Sequence, residues 1–186
     1  MSLNRYMGVA MAVTLFGLTA CSNSLEPTLI PIPDEPGEAT LVDVSAGAVA
    51  DPSAFDVITG GSVRTDQFSG WDFLFQIQED GSAVLWPRGA ITGEDLDAGL
   101  QKVLQTFDAL REAPENGYTN LDSLPVALGD VFAVQSRRDP AFGNLRCRRF
   151  AKVEIQAIDP MEGTISFIHL VNPNCEKRTL VPGAEE

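Results

Sequence analysis

Short runs of hydrophobic residues alternate with polar ones along most of the chain, a pattern typical of strands with one buried face. The predicted strands are 40–44, 54–58, 71–77, 82–86 and 130–135. One face of 71–77 carries large apolar side chains at period two, from Trp71, Phe73, Phe75 and Ile77. A turn signal at 79–81 follows this strand, so it is predicted to form a hairpin with the next one.

One stretch has helical periodicity instead. Its apolar stripe is spaced by three and four residues and comprises Leu96, Leu100, Val103, Leu104, Phe107 and Leu110. Thr92 and Asp95 match the capped start of a helix. Arg111 suits its C-terminal end, and Pro114 would stop it. The sequence therefore predicts an amphipathic helix over 92–111 that packs against a sheet.

The N-terminal residues 1–20 read as an export signal, because one base, Arg5, precedes a short apolar run and small residues. That run is about 12 residues long, too short to cross a bilayer. Leu18-Thr19-Ala20-Cys21 resembles the lipobox of bacterial lipoproteins. The resemblance implies cleavage before Cys21 and lipidation of its thiol. Ser22, directly after this cysteine, resembles the signal that sorts lipoproteins to the outer membrane. The protein would then face either the periplasm or the cell surface. The alternative is an ordinary signal peptide with a coincidental cysteine.

Residues 21–38 combine the lipidated cysteine with a segment rich in proline and acidic residues. Proline favours extended backbone and like charges repel, so a semi-rigid tether is predicted. A disordered leader of no particular length is the alternative. Residues 39–183 are expected to form one mainly β domain, an antiparallel sheet or β-sandwich with one packed helix, before a tail at 184–186.

The C-terminal part of the domain predicts a second hairpin. Residues 150–158 and 164–171 have strand patterns, and the segment between them contains Pro160 and Gly163. A register symmetric about Met161 places three pairs of residues opposite each other: Cys147 and Cys175, Val153 and His169, Ile155 and Phe167.

This register predicts a disulfide between Cys147 and Cys175. Cys21 is assigned to the lipid, which leaves two cysteines in an oxidising compartment. The alternatives are two free thiols, or a metal held by this pair and His169. The same register puts His169, the chain's one histidine, on an apolar strand face, which favours a packed core residue over a ligand.

Composition and charge exclude several classes of function. The chain has 186 residues, with 13 Lys and Arg against 26 Asp and Glu, for a net charge of −13. Nucleic-acid binding and electrostatic adhesion to anionic lipid both need a basic surface, so neither is expected. One histidine cannot supply a multi-histidine metal site, and no metal is expected.

Six basic residues nevertheless lie close together in the sequence: Arg137, Arg138, Arg146, Arg148, Arg149 and Lys152. One interpretation is a basic patch that docks an anionic partner or lipopolysaccharide. Internal pairing with the surplus carboxylates is the other, and it is favoured because acids outnumber bases.

The sequence predicts no catalytic residues and no enzyme activity. It lacks Gly-x-Ser-x-Gly, His-Glu-x-x-His, a phosphate-binding glycine loop and Cys-x-x-Cys. A Ser-His-Asp triad would have to use His169, which the register directs inward. The acidic pairs lie at a predicted helix start and in a turn, where carboxylates are common for structural reasons.

The order of several short motifs resembles the HmuY-like family of lipid-anchored, haem-capturing proteins. They span 54–60, 69–75, 130–134, 149–155 and 164–167, and the clearest are Trp71-Asp72-Phe73 and Phe150-Ala151-Lys152-Val153. The resemblance implies an all-β fold. Haem carriers of the family hold iron between two axial side chains. The one histidine of this chain is His169, and no second ligand can be assigned. Haem is therefore an alternative ligand whose axial residues the sequence does not identify.

The function predicted from sequence is that of a lipid-anchored cell-envelope protein that binds an envelope protein or a small ligand without catalysis. A haem- or other small-ligand-capturing lipoprotein of the HmuY-like type is the first alternative. An envelope enzyme is the second.

Overall fold

The computed structural model describes residues 29–46, 48, 50–94, 96–139 and 147–184. The predicted signal peptide, Cys21 and Arg146 lie outside the described residues. The described elements are β1 (Gly37–Val42), β2 (Ala54–Asp56), β3 (Gly61–Val63), β4 (Phe73–Ile77), β5 (Ala83–Pro87), α1 (Arg88–Thr92), β6 (Gly99–Val103), β7 (Leu124–Pro125), β8 (Val131–Gln135), β9 (Phe150–Asp159) and β10 (Thr164–Asn172).

These strands form two antiparallel five-stranded sheets, which confirms the predicted mainly β, sandwich-like fold. One sheet has the order β1-β10-β9-β8-β6 and the other β3-β2-β4-β5-β7. Their facing surfaces enclose the main core, whose aromatic members are Phe55, Phe73, Phe75, Phe132 and Phe167. Alternating apolar side chains on each strand supply this core, as the period-two pattern predicts.

The C-terminal hairpin β9–β10 has the predicted register over most of its length. Val153 pairs with His169 and Ile155 with Phe167. A bulge between Ser166 and Phe167 then shifts the pairing by one residue towards the turn. The symmetric register therefore holds at the open end of the hairpin, where the cysteines lie, and fails near the turn.

The predicted helix over 92–111 is wrong. The one helix among the described residues is α1, and it ends where the longer helix was expected to begin. Thr92 closes α1 instead of starting a helix: its hydroxyl donates to the Arg88 carbonyl oxygen at 3.0 Å and accepts from the Glu94 amide at 3.1 Å. Gly93 then adopts φ = 70°, the left-handed conformation that ends helices.

The apolar stripe of that predicted helix is divided between two faces of a sheet. Leu100 on β6 is buried between the sheets, whereas Phe107 and Leu110 pack on the outer face of the β1-β10-β9-β8-β6 sheet. Leu104 is fully exposed. Helical spacing was coincidental, because the chain passes from an edge strand into a loop that folds back over the sheet.

Trp71 is also not on the face predicted for it. Strand β4 begins at Phe73, so Trp71 precedes the regular alternation and packs with Ala54 and Leu74 on the outer face of the second sheet. Phe73 and Phe75, which were predicted to share a face with Trp71, do face the main core.

The described part of the predicted tether lies against the domain. Residues 29–36, here called the strap, precede β1, and Ile32 in the strap is 1% exposed. Ile32 packs with Phe107, Leu110 and Leu180 over the outer face of the first sheet. Its amide donates to the carbonyl oxygen of Ala184 at 3.0 Å. The folded unit therefore includes residues that the composition assigned to a spacer.

Candidate binding cleft

A cleft of about 420 Å³ opens where the strap crosses the end of β10. One wall is the strap, the second is the turn at 58–60, and the floor is the end of β10. Its lining residues are Ile30, Pro31, Pro33, Glu35, Gly37, Ile58, Thr59, Gly60, Arg149, His169, Leu170, Val171 and Pro173. The surface is thus mainly apolar with a few charged or polar groups, as is usual for small-ligand sites.

His169 lies where the main core meets this cleft. Its ring centroid is 4.8 Å from that of Phe55 and 6.3 Å from that of Phe167, so the strand face was predicted correctly. The ring also packs against Gly37, where an added Cβ would come within 2.6 Å of the imidazole. Burial lowers the pKa of His169, which favours the neutral imidazole.

Two buried polar atoms beside the cleft have no hydrogen-bond partner among the described residues: Nδ1 of His169 and Nε of Arg149. The rest of the Arg149 guanidinium is held firmly. Its Nη2 lies 2.8 Å from Asp139 Oδ2, and its Nη1 donates to the Ile58 carbonyl oxygen at 2.6 Å. Both atoms are shielded from solvent, and a buried polar atom without a partner is costly.

The strap wall of the cleft is fastened by an asparagine. Asn174 Nδ2 donates to the Ile30 carbonyl oxygen at 2.7 Å, and the Ile30 amide donates back to Asn174 Oδ1 at 2.8 Å. Cys175, the next residue, forms a disulfide with Cys147, as the hairpin register predicted. The open end of the hairpin therefore carries both the disulfide and the attachment of the strap.

The described members of the predicted basic patch do not form one surface, and all take part in internal interactions. Arg138 pairs with Asp97 at 2.6 Å and Arg148 with Glu176 at 2.9 Å. Lys152 is buried, and its Nζ donates to the carbonyl oxygens of Phe107 and Leu110 at 2.8 and 3.1 Å. The four described arginines therefore pair with carboxylates, as the charge balance favoured, whereas Lys152 binds backbone carbonyl oxygens.

Arg137 is the centre of a buried ion-pair network that joins the end of β8 in one sheet to β2 and the start of β4 in the other. Its Nη1 lies 2.8 Å from Asp56 Oδ1 and 3.2 Å from Asp72 Oδ2. Asp72 also accepts from the backbone amides of Val57 and Arg137, each at 2.7 Å. Burial raises the pKa of Asp72 to about 6, although Arg137 opposes this shift.

Sequence reasoning missed the cleft because it missed the strap. The one available signal was the alternation Ile30-Pro31-Ile32-Pro33, which places apolar side chains inside an acidic segment. No group of three His, Cys, Asp or Glu side chains in the described ranges is arranged to hold a metal ion. Over the same ranges, no helix has the length and apolar character needed to cross a membrane.

Comparison with known proteins yields no relative: no family model, no curated protein and no solved structure matches the chain.

Proposed function

We propose that the chain is a lipid-anchored cell-envelope protein that binds a small ligand or an envelope partner in the cleft beside the strap, without catalysing a reaction. The observation that carries the binding role is the mainly apolar cleft itself, whose lining includes the side chains of Arg149 and His169. The lipobox-like Leu18-Thr19-Ala20-Cys21 carries the envelope assignment.

The strap relates the proposed anchor to the cleft. Ile30 is attached to Asn174, and residues 22–29 separate it from Cys21. At about 3.4 Å per extended residue this connection reaches at most roughly 30 Å. Lipidation of Cys21 would therefore hold the cleft close to the membrane surface.

The anchor is tested by Cys21→Ser in a bacterial host. We expect the unchanged chain to partition with detergent and to incorporate labelled fatty acid, whereas the variant does neither, because a serine hydroxyl cannot replace the thiol. A variant that remains membrane-bound would contradict the lipobox assignment. Ser24→Ala is a matched control outside the motif and should leave the chain anchored.

The cleft is tested by native mass spectrometry of the full chain released from membranes in detergent. We expect a co-purifying small molecule or a defined protein partner, lost in Arg149→Gln and retained in Arg148→Gln. Arg148 is a suitable control because its pair with Glu176 is exposed and it does not line the cleft. A homogeneous unliganded chain with no captured partner would contradict the binding role.

Haem capture of the HmuY-like type is a second candidate, favoured by the position of His169. Its side chain lines the cleft, and its lowered pKa favours the neutral form that ligates metals. Titration of the full chain with haemin should then give a stoichiometric Soret shift that His169→Leu abolishes. Equal spectra for the two proteins would eliminate this candidate.

A further inference from the structure

A second depression, separate from the cleft, is lined by three arginines. It has a volume of about 470 Å³ and shares no lining residue with the cleft. Its lining residues are Gln67, Phe68, Ser69, Gly70, Arg88, Arg137 and Arg138. No acidic residue of the described chain lines it, although the protein is strongly acidic. We call it the arginine groove.

Each arginine is oriented by contacts outside the groove. Arg137 is 8% exposed, and Asp56 and Asp72 both hold its Nη1. Its Nη2 lies beside Gly70, where an added Cβ would come within 2.7 Å of it. Glycine at this position therefore leaves room for the guanidinium at the base of the groove.

The other two arginines are positioned from neighbouring elements. The Arg88 guanidinium carbon lies 5.1 Å above the ring of Trp71, a cation–π contact. Arg138 donates through Nε to Asp97 Oδ2 at 2.6 Å, while about half of its side chain stays exposed. Held guanidinium groups lose little side-chain entropy on binding a ligand, which favours recognition of an anion.

The carboxylates of Asp56, Asp72 and Asp97 hold Arg137 and Arg138 without lining the groove. Asp56 and Asp72 are buried, and Asp97 is only partly exposed. Asp66, next in sequence to the groove, pairs with Arg64 at 2.7 Å. Among the described residues that line the groove, an incoming anion therefore meets guanidinium groups and no carboxylate.

We propose that the arginine groove binds a small soluble phosphate monoester with an apolar or aromatic substituent. Three guanidinium groups suit a dianionic tetrahedral group with several acceptor oxygens better than a single carboxylate. Phe68 lines the groove and is 51% exposed, so it offers an apolar surface to the substituent. The net charge of −13 disfavours an anionic membrane as the source of the phosphate.

The test is calorimetric titration of the full chain, in non-ionic detergent, with phenyl phosphate. We expect binding that weakens with added salt and that falls roughly tenfold or more in Arg88→Gln/Arg138→Gln, because charge-assisted hydrogen bonds are lost. Phenol should not bind. Arg148→Gln is the matched control and should bind unchanged, since its exposed ion pair lies outside the groove.

A circular dichroism spectrum of each variant establishes that the fold is kept. Phe68→Ser should weaken the binding of phenyl phosphate more than the binding of inorganic phosphate, because the Phe68 ring contacts the phenyl substituent. Absence of phenyl phosphate binding, or equal binding by the double variant, would overturn the proposal. Binding of phosphatidylglycerol vesicles in place of phenyl phosphate would also overturn it, by assigning the groove to a lipid surface.

Discussion

Individual charged residues in this protein are placed by partners that are distant in sequence. Arg137 was one of six clustered bases, and the structure buries it against Asp56 at the end of β2 and Asp72 just before β4, both on the other sheet. A basic run in the sequence therefore does not make one continuous basic surface. Arg137 and Arg138 line the arginine groove, whereas Arg148, Arg149 and Lys152 do not. The charge surplus nevertheless predicted most of the outcome, since Arg137, Arg138, Arg148 and Arg149 each pair with a carboxylate.

Arg137→Met should destabilise the protein by about 3–5 kcal/mol at pH 7, because it leaves two buried carboxylates uncompensated. Arg137 lowers the pKa of Asp72 from what burial alone would give, so its removal raises that pKa further above the unfolded value of 3.8. A raised folded-state pKa gives stability that is present below the unfolded pKa and lost as pH rises. The intact protein itself loses this contribution up to about pH 6, so the deficit should change little from pH 4 to 6 and grow between pH 6 and 8.

Urea unfolding at several pH values measures this effect. Arg148→Met is the control, and its exposed pair with Glu176 should contribute less than about 1 kcal/mol. A deficit in Arg137→Met that is constant across this pH range would show that the carboxylates do not depend on the arginine.

At the scale of elements, the strands were predictable and the segments that cover them were not. Strands such as β4 and β9 bury one face against the opposite sheet, and this produces period-two patterns that can be read directly. The loop after β6, which carries Phe107 and Leu110, and the strap bury side chains on the outer face of the first sheet. Such covering segments need apolar residues only at their contact points, so their spacing carries no secondary-structure information.

The strap offers a test in two neighbouring isoleucines. Ile32→Ala should lower the free energy of unfolding by about 2–4 kcal/mol, because Ile32 is 1% exposed and truncation leaves a cavity. Ile30→Ala, at a position 55% exposed, should cost well under half of that. Chemical denaturation of both variants gives the comparison. Equal small losses would mean that the strap does not contribute to the folded unit.

At the scale of the whole molecule, two sheets enclose one main core, and the disulfide fixes the end at which the strap is attached. The hairpin register predicted Cys147 opposite Cys175, and the structure pairs them with Cα atoms 4.8 Å apart. Because the bulge lies nearer the turn, it does not displace the cysteines relative to each other.

Replacing both cysteines, as Cys147→Ala/Cys175→Ala, should reduce stability by about 3–4 kcal/mol, the chain-entropy estimate for a loop of this length. Their sequence separation is 28 residues. Thermal unfolding of the double variant should match that of the reduced, unmodified chain. Detection of two reactive thiols at Cys147 and Cys175 in unreduced, denatured protein would contradict the pairing.

The sequence by itself determined the mainly β class, most strand positions, the register at the open end of the C-terminal hairpin and the pairing of its cysteines. These features depend on local periodicity and on symmetry about one turn, both of which are written in neighbouring residues. Tertiary structure alone decided the docking of Ile32, the cleft at His169 and the arginine groove. Each of these joins segments far apart in the chain, and local patterns do not encode which distant surfaces meet.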